Sequence, residues 1–257
     1  MTRCLVTACL VLVALTGAAE EYDKDSALAV SQAAIGTRLD DYRLRDTRGQ
    51  AFQLGQLAGR PLVVSMIYTS CHHVCPLITK NLAETVSVAR EALGNDSFSV
   101  VTVGFDWRND TPDRMRHFAS QQGITDANWY FLAADAQSID RLSTALGFQY
   151  FASAKGFDHL AQTTVVDRDG IIYRQVYGVD IDTQSLVEPL KELVFDTPRS
   201  AGILDHWLDT FKLFCTVYDP TSDRYRFDYS ILMTILVGVL CLAGIATFIL
   251  QEWKRAR

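Results

Sequence analysis

The sequence predicts an α/β domain, a mixed sheet with helices on both faces. Three observations predict it. Residues 62–68 and 98–105 are apolar runs of strand length, as expected of central strands covered on both sides. Segments of helical period lie between the strands. The order then closes with a hairpin and a last helix, so strands alternate with helices along the chain.

The elements follow in order. Residues 20–36 are polar with scattered Ala and read as an N-terminal arm, and the globular pattern fills residues 37–195. Tyr42-Arg43-Leu44-Arg45-Asp46 and residues 51–54 are short strands around the turn Thr47-Arg48-Gly49-Gln50. Gly59-Arg60-Pro61 breaks the chain before the 62–68 strand. A helix over 77–93 follows, with Pro76 suited to its first turn. After the 98–105 strand, Asp110-Thr111-Pro112 opens a helix through Gln122, with Asp110 or Thr111 as cap. Residues 129–132 read as a strand and 137–146 as a helix. Residues 163–166 and 171–176 pair around Asp167-Arg168-Asp169-Gly170, and 183–194 form the closing helix. The chain has no internal repeat and no low-complexity segment.

The 257 residues are 49% apolar and 21% charged, which excludes a disordered or collagen-like chain. Residues 20–228 carry 20 Lys and Arg against 29 Asp and Glu, a net charge of −9. A nucleic-acid binder needs a basic footprint, so nucleic acid is excluded as a partner. Residues 1–19 read as a signal peptide: Arg3 supplies a positive start, 5–15 an apolar stretch, and Thr16-Gly17-Ala18-Ala19 small residues for cleavage. Residues 229–250 hold no charge and are long enough for a transmembrane helix across a ~30 Å hydrocarbon core. Trp253, Lys254, Arg255 and Arg257 follow at the interface and in a short cytoplasmic tail, 251–257. Export followed by this stop predicts a single-pass protein of a bacterial-type inner membrane, with its domain on the periplasmic side. Between domain and anchor, residues 196–228 form a connector. Ile203, Leu204, Trp207, Leu208, Phe211 and Phe214 recur there at helical spacing, which suits a helix on the domain or on the membrane surface.

Of six cysteines, Cys4 and Cys9 leave with the signal and Cys241 lies in the anchor. Cys71, Cys75 and Cys215 remain, too few for a disulfide scaffold. Cys71 and Cys75 sit in Tyr68-Thr69-Ser70-Cys71-His72-His73-Val74-Cys75-Pro76, between a buried strand and a helix start. Helix-terminal N–H groups favour thiolates there. Spacing of one turn aims both sulfurs at one centre. Soft thiolates suit Cu(I), and an added imidazole admits Cu(II). A plain structural disulfide or two buried thiols is the other reading of the pair.

With these residues in view the domain resembles the Sco/SenC family of copper proteins, over residues 35–195. Three motifs carry the resemblance: Cys71-His72-His73-Val74-Cys75-Pro76, Asp110-Thr111-Pro112, and Asp158-His159 before the hairpin. It implies a thioredoxin-like fold and a role in assembling cytochrome c oxidase. It also implies one copper, Cu(I) or Cu(II), held by Cys71, Cys75 and His159, with Asp158 orienting or tuning the histidine. The family commonly has Asp-Pro where this chain has Asp106-Trp107, and many members are anchored at the N-terminus. His72 and His73 read as exposed loop residues or accessory ligands, and Cys215 as a buried inert thiol.

Two functions fit. One is a metallochaperone that passes copper to the dinuclear centre of a cytochrome oxidase subunit, served by an upstream copper donor. No catalytic residue is assigned in that reading. The other is a thiol–disulfide oxidoreductase that keeps the oxidase cysteines reduced, with Cys71 and Cys75 as the redox-active pair. A peroxidase of the peroxiredoxin type is excluded, because Val64 and Tyr68 stand where its Pro-x-x-x-Thr-x-x-Cys segment needs Pro and Thr.

Overall fold

The computed structural model describes residues 22–195, the strands Thr216–Asp219 and Arg224–Phe227, and seven single helical positions between Met233 and Arg255. Residues 24–33 are not a loose arm. They form helix α1, Lys24–Ala33, capped by the Asp23 carboxylate, which accepts from the Asp25 and Ser26 N–H groups at 3.3 and 3.1 Å. Ala27 and Ser31 face inward, and the Ser31 hydroxyl meets the Tyr177 hydroxyl at 2.9 Å. Two contact residues in ten give too faint a period to read from the sequence.

Two short strands follow, β1 (Leu44–Arg45) and β2 (Ala51–Phe52), then the central strand β3 (Leu62–Ile67). Helix α2 spans Val74–Leu93 and begins three residues before the apolar period does, so Cys75 and Pro76 lie inside its first turn. Pro is tolerated there because the N–H it lacks has no partner within the helix. At the other end of α2, Arg90 binds the Asp126 carboxylate at 2.6 Å and the Phe98 carbonyl at 3.0 Å. Strand β4 (Ser99–Gly104), helix α3 (Pro112–Gln121), strand β5 (Trp129–Ala134) and helix α4 (Ala136–Leu146) come next. Thr111 caps α3 through its hydroxyl and Asp135 caps α4 through its carboxylate.

The chain then makes β6 (Tyr150–Ser153) and β7 (Gly156–His159), a hairpin that forms its own two-stranded sheet. Strands β8 (Gln162–Val166) and β9 (Ile172–Tyr177) form the expected second hairpin, and helix α5 (Thr183–Phe195) closes the domain. A further antiparallel hairpin pairs β10 (Thr216–Asp219) with β11 (Arg224–Phe227). The expected connector helix at 203–214 and Cys215 lie outside the described residues. So does nearly all of 229–250, and among the described residues no helix is long and apolar enough to cross a membrane.

The main sheet has the order β2-β1-β5-β4-β3-β8-β9. Strands β3, β4 and β5 are parallel, and β1 and β8 join them antiparallel, so the sheet is mixed as expected. Right-handed crossovers put α2 and α3 on one face, where α5 packs against α2. Helix α4 crosses the other face. Its Ser138 hydroxyl accepts from the Arg43 N–H beside β1, and its Leu146 carbonyl accepts from Gln162 and Gln175 in β8 and β9. Every residue of β3 and β4 is therefore buried, including Ser65 and Thr102.

The last residue of β4 must be glycine. A Cβ on Gly104 would lie 2.5 Å from the Asp110 Cβ and 2.8 Å from the Met115 sulfur. Overpacking of this kind costs about 1–3 kcal/mol. Gly104→Ala should lower the urea midpoint by that free energy with little change in slope. A midpoint equal to wild type would mean that the loop after β4 can move aside freely.

Candidate metal centre

Strands β3 and β4 are parallel neighbours in register Ile67↔Gly104, so their C-terminal ends open side by side. The loop to α2 leaves from one and the loop to α3 from the other. Asp110 ties the two together. Its Oδ1 accepts from the Thr69 N–H at 2.8 Å and the Thr69 hydroxyl at 2.7 Å, and its Oδ2 accepts from the Asp106 N–H at 2.9 Å. Asp106 in turn accepts from the Asn109 amide at 2.7 Å. Trp107, standing where the family commonly has Pro, is exposed and carries the Arg108 guanidinium 4.7 Å from its ring centre.

The loop so fixed turns at Tyr68, whose carbonyl accepts from the Cys71 N–H at 3.2 Å, and enters α2 at Val74. Cys71 is half-buried and Cys75 fully buried, and both are free thiols. The Cys75 N–H donates to Cys71 Sγ at 3.3 Å. Burial alone would raise the Cys71 pKa. The backbone N–H groups of Cys75 and His73, the Cys75 thiol and the Tyr68 hydroxyl all stabilise its thiolate, and the net shift is downward. Cys75 goes the other way: burial and then the adjacent Cys71 charge push its thiol well up, against a bond from the Tyr68 backbone N–H. The two thiols are thus unequal, Cys71 the more acidic and Cys75 the less. Burial and then the bond to Cys71 push the Tyr68 phenol up to about 12.

His159 ends β7, opposite Tyr150. Its ring lies among Tyr68, Phe105 and Phe148, with centroid distances of 6.1, 5.4 and 5.3 Å. Its Nδ1 lies 3.0 Å from the Leu160 carbonyl, which can only accept, so Nδ1 carries the proton and Nε2 keeps its lone pair. Burial holds the imidazole pKa below its ordinary 6.5, against the Leu160 bond and the Asp158 carboxylate. The ring is accordingly neutral, the form that ligates metals. Asp158 itself is exposed and acts on His159 through charge.

The fold therefore brings Cys71 and Cys75 into contact and sets the His159 ring edge-on to the Tyr68 ring. Among the described residues no group of three or more His, Cys, Asp or Glu is spaced to hold a metal ion. His72 and His73 are exposed, His73 at the cap position of α2. Sequence reasoning placed Asp158-His159 in a loop. The alternation of rings over 148–151 and at 157, with Gly156 at the turn, was the available signal for a hairpin. Tyr68 was overlooked as a partner of the thiols, being read only as the end of a strand.

A free thiol pair at the junction of a central strand and a helix, in a mixed sheet flanked by helices, defines a thioredoxin-like domain. The SCO1/SenC family model matches residues 32–194, and the chain belongs to that family. A SCO1 protein homolog of Bacillus subtilis is 21% identical over 150 residues, covering 57% of this chain and 77% of the relative. A putative electron transfer protein of Aquifex aeolicus superposes with a TM-score of 0.58 at 29% identity, over 66% of this chain and 99% of that one. BsSco, described as a member of the Sco family of cytochrome c oxidase assembly proteins, has the same thioredoxin-like fold. It superposes with a TM-score of 0.55 at 18% identity, over 62% and 94% of the two chains. ScoI of Bradyrhizobium japonicum, solved with copper bound, superposes with a TM-score of 0.50 at 22% identity, over 60% and 98%.

The thiol asymmetry is directly measurable. In reduced, metal-free protein, iodoacetamide should modify Cys71 before Cys75, with the Cys71 rate reaching half its plateau below pH 9.0, the ordinary thiol value. Equal rates at the two sites, or a Cys71 midpoint above that value, would show that the donors around its sulfur do not outweigh its burial.

Proposed function

We propose that this chain is a copper metallochaperone that helps to load the dinuclear copper centre of cytochrome c oxidase. Its ligands are Cys71, Cys75 and His159, and its partners are the copper-receiving oxidase subunit and an upstream donor. A C-terminal helix over 229–250 anchors it, with the domain outside the cytoplasm. The observation that carries this reading is the pairing of two free cysteines at the start of α2, joined by the bond from the Cys75 N–H to Cys71 Sγ, with the Cys71 thiol drawn to lower pKa. Such a pair fits a soft monovalent ion, and a neutral imidazole with a bare Nε2 fits as the third donor. Copper is the cargo here, and the protein supplies two soft donors and one borderline donor for it. Cys71, with its pKa drawn down, gives up its proton the more readily of the two. Cys75 must first give up its proton, and its burial makes that costly until a cation offsets the charge. His159 and the thiols must also close on each other to bind one ion, because among the described residues no three such donors stand at metal-holding spacing.

One observation favours a second reading. A more acidic thiol beside a buried, less acidic one also suits a thiol–disulfide oxidoreductase, with Cys71 as nucleophile and Cys75 resolving the mixed disulfide. That chemistry has no use for His159, so substitution there separates the two. His159→Ala should weaken Cu(I) binding but leave it measurable, because two sulfurs suffice for Cu(I). Cu(II) binding should fall much further, and thiol–disulfide exchange should persist near the wild-type rate. Cys71→Ser or Cys75→Ser should abolish binding and exchange alike. Cells carrying His159→Ala that still assemble a fully metallated oxidase would put the reductase reading first. The anchor is tested separately. Protease added to intact spheroplasts should remove the domain and leave a short membrane stub, whereas full protection would place the domain inside.

A further inference from the structure

The thiol loop carries no charge. From Pro61 to Thr79 the chain has no Asp, Glu, Lys or Arg, and Lys80 is the first charged side chain after the cysteines. Among the described residues of the domain six large apolar side chains are exposed, and three of them flank the thiols: Val74 at 45%, Leu77 at 48% and Trp107 at 44%. Val74 and Leu77 are three apart on the first turn of α2 and share one face, while Cys75 between them turns inward. Trp107 comes from the loop after β4. Asp110 ties the backbone of Asp106 to Thr69, two residues before Cys71, so Trp107 and the thiol loop belong to one fixed unit. Ile35, another of the six, lies at the opposite end of the sheet. The Gly36 N–H donates to the Ile172 carbonyl, and Ile172 stands through Val166 in register with Leu62, the first residue of β3.

Two cations edge this apolar surface. The Arg108 guanidinium lies 4.7 Å from the Trp107 ring centre. Lys155 is exposed in the turn between β6 and β7. Its neighbour Gly156 is so near the thiol loop that a Cβ there would sit 2.8 Å from the Tyr68 hydroxyl oxygen. Among the described residues neither cation has a carboxylate partner. Asp158 is the one acidic residue of that hairpin, and Asp106 and Asp110 are buried. A chain of net charge −6 thus presents an apolar rim edged with positive charge at its thiols.

Apolar side chains gathered in water beside a reactive site mark a surface that a partner covers. Trp and Arg are also the residues that carry most of the binding energy at protein interfaces. Passing on an ion by ligand exchange requires the receiving ligands to reach Cys71, because Cys75 is fully buried beneath the first turn of α2. A receiving protein must then seat on Val74 and Leu77 and extend toward Trp107. We propose that Val74, Leu77 and Trp107, edged by Arg108 and Lys155, are the docking surface for the copper-receiving oxidase subunit, which meets them with apolar side chains edged by carboxylates. This inference rests on the carrier function proposed above.

The test uses full-length protein in detergent, titrated against cytochrome c oxidase purified without the copper of its dinuclear centre. Trp107→Ala should weaken binding by about tenfold or more. Leu77→Ser, on a different element, should act in the same direction, so a fault in the Trp107 loop alone cannot decide the result. Arg108→Glu should slow association and lessen its fall with added salt. Ile35→Ser should bind as wild type does. The rate at which iodoacetamide modifies Cys71 should be the same in all four variants, which shows the thiol loop intact. Wild-type affinity in both Trp107→Ala and Leu77→Ser overturns the proposal, as does an equal loss in Ile35→Ser or no binding by wild type. Binding that depends on Trp107 while no copper passes to the oxidase would sink the carrier function and leave the docking surface standing. Copper passing from Trp107→Ala and Leu77→Ser at the wild-type rate would do the reverse.

Discussion

The site depends on one buried carboxylate. Asp110 is 1% exposed, and burying an ion without partners would be prohibitive. Three donors meet it, two from Thr69 and one from the Asp106 backbone. Burial still raises its pKa, with those three bonds opposing the shift. The consequence is mechanical. Parallel strands β3 and β4 would end in two independent loops, and Asp110 binds the loop after β4 to the loop after β3. Tyr68, Cys71 and Cys75 all follow from where Thr69 is held. Gly104 is the matching constraint, since any side chain there would occupy the space of the Asp110 Cβ.

A second constraint is aromatic. The β6–β7 hairpin shares no ladder with the main sheet, so backbone bonding does not fix it there. Rings do. Phe105, at the end of the β4 run, meets Tyr150 at 4.8 Å, Phe148 at 5.2 Å and Phe157 at 5.4 Å. Each such pair contributes about 0.5–1.5 kcal/mol beyond its buried area. Together they hold the hairpin that carries His159 against the end of β4. Tyr22, just before α1, adds a further ring against Phe151 at 6.0 Å. A ligand carried on a hairpin held by side chains can shift without breaking the sheet. A ligand on β8 could not.

Much of this was legible in the sequence, for physical reasons. The runs at 62–68 and 98–105 are buried on both faces, so their apolar character is unbroken and easy to see. The cap at Asp110-Thr111 and the turn at Asp167-Arg168-Asp169-Gly170 carry local signals that do not depend on the rest of the fold. The thiol pair was legible from its place between strand and helix. What escaped notice depends on distant partners. Helix α1 mixes small apolar and polar residues with only Ala27 and Ser31 buried, and is fixed through Ser31 and Gln32 to Tyr177, some 145 residues away. Strands β6 and β7 have four residues each and only partly buried side chains, so neither shows a clean alternation. The role of Tyr68 toward Cys71 could not be read from a residue that looks like the last position of a core strand.

In the copper site proposed above the three donors would start in different states, and this follows from where each sits. Cys71 lies at the open start of α2, where N–H groups converge on it and, against its burial, draw its pKa below the ordinary thiol value. Cys75 is one helical turn deeper and fully buried, so charge there is disfavoured. His159 is enclosed by rings and held neutral. Three fully charged donors in contact would hold a soft cation tightly and release it slowly. In the proposed carrier, Cys75 would gain its charge only against a bound cation and would be reprotonated readily once the cation is drawn away. Affinity that a competing thiolate can undo would then follow from the unequal placement of these side chains.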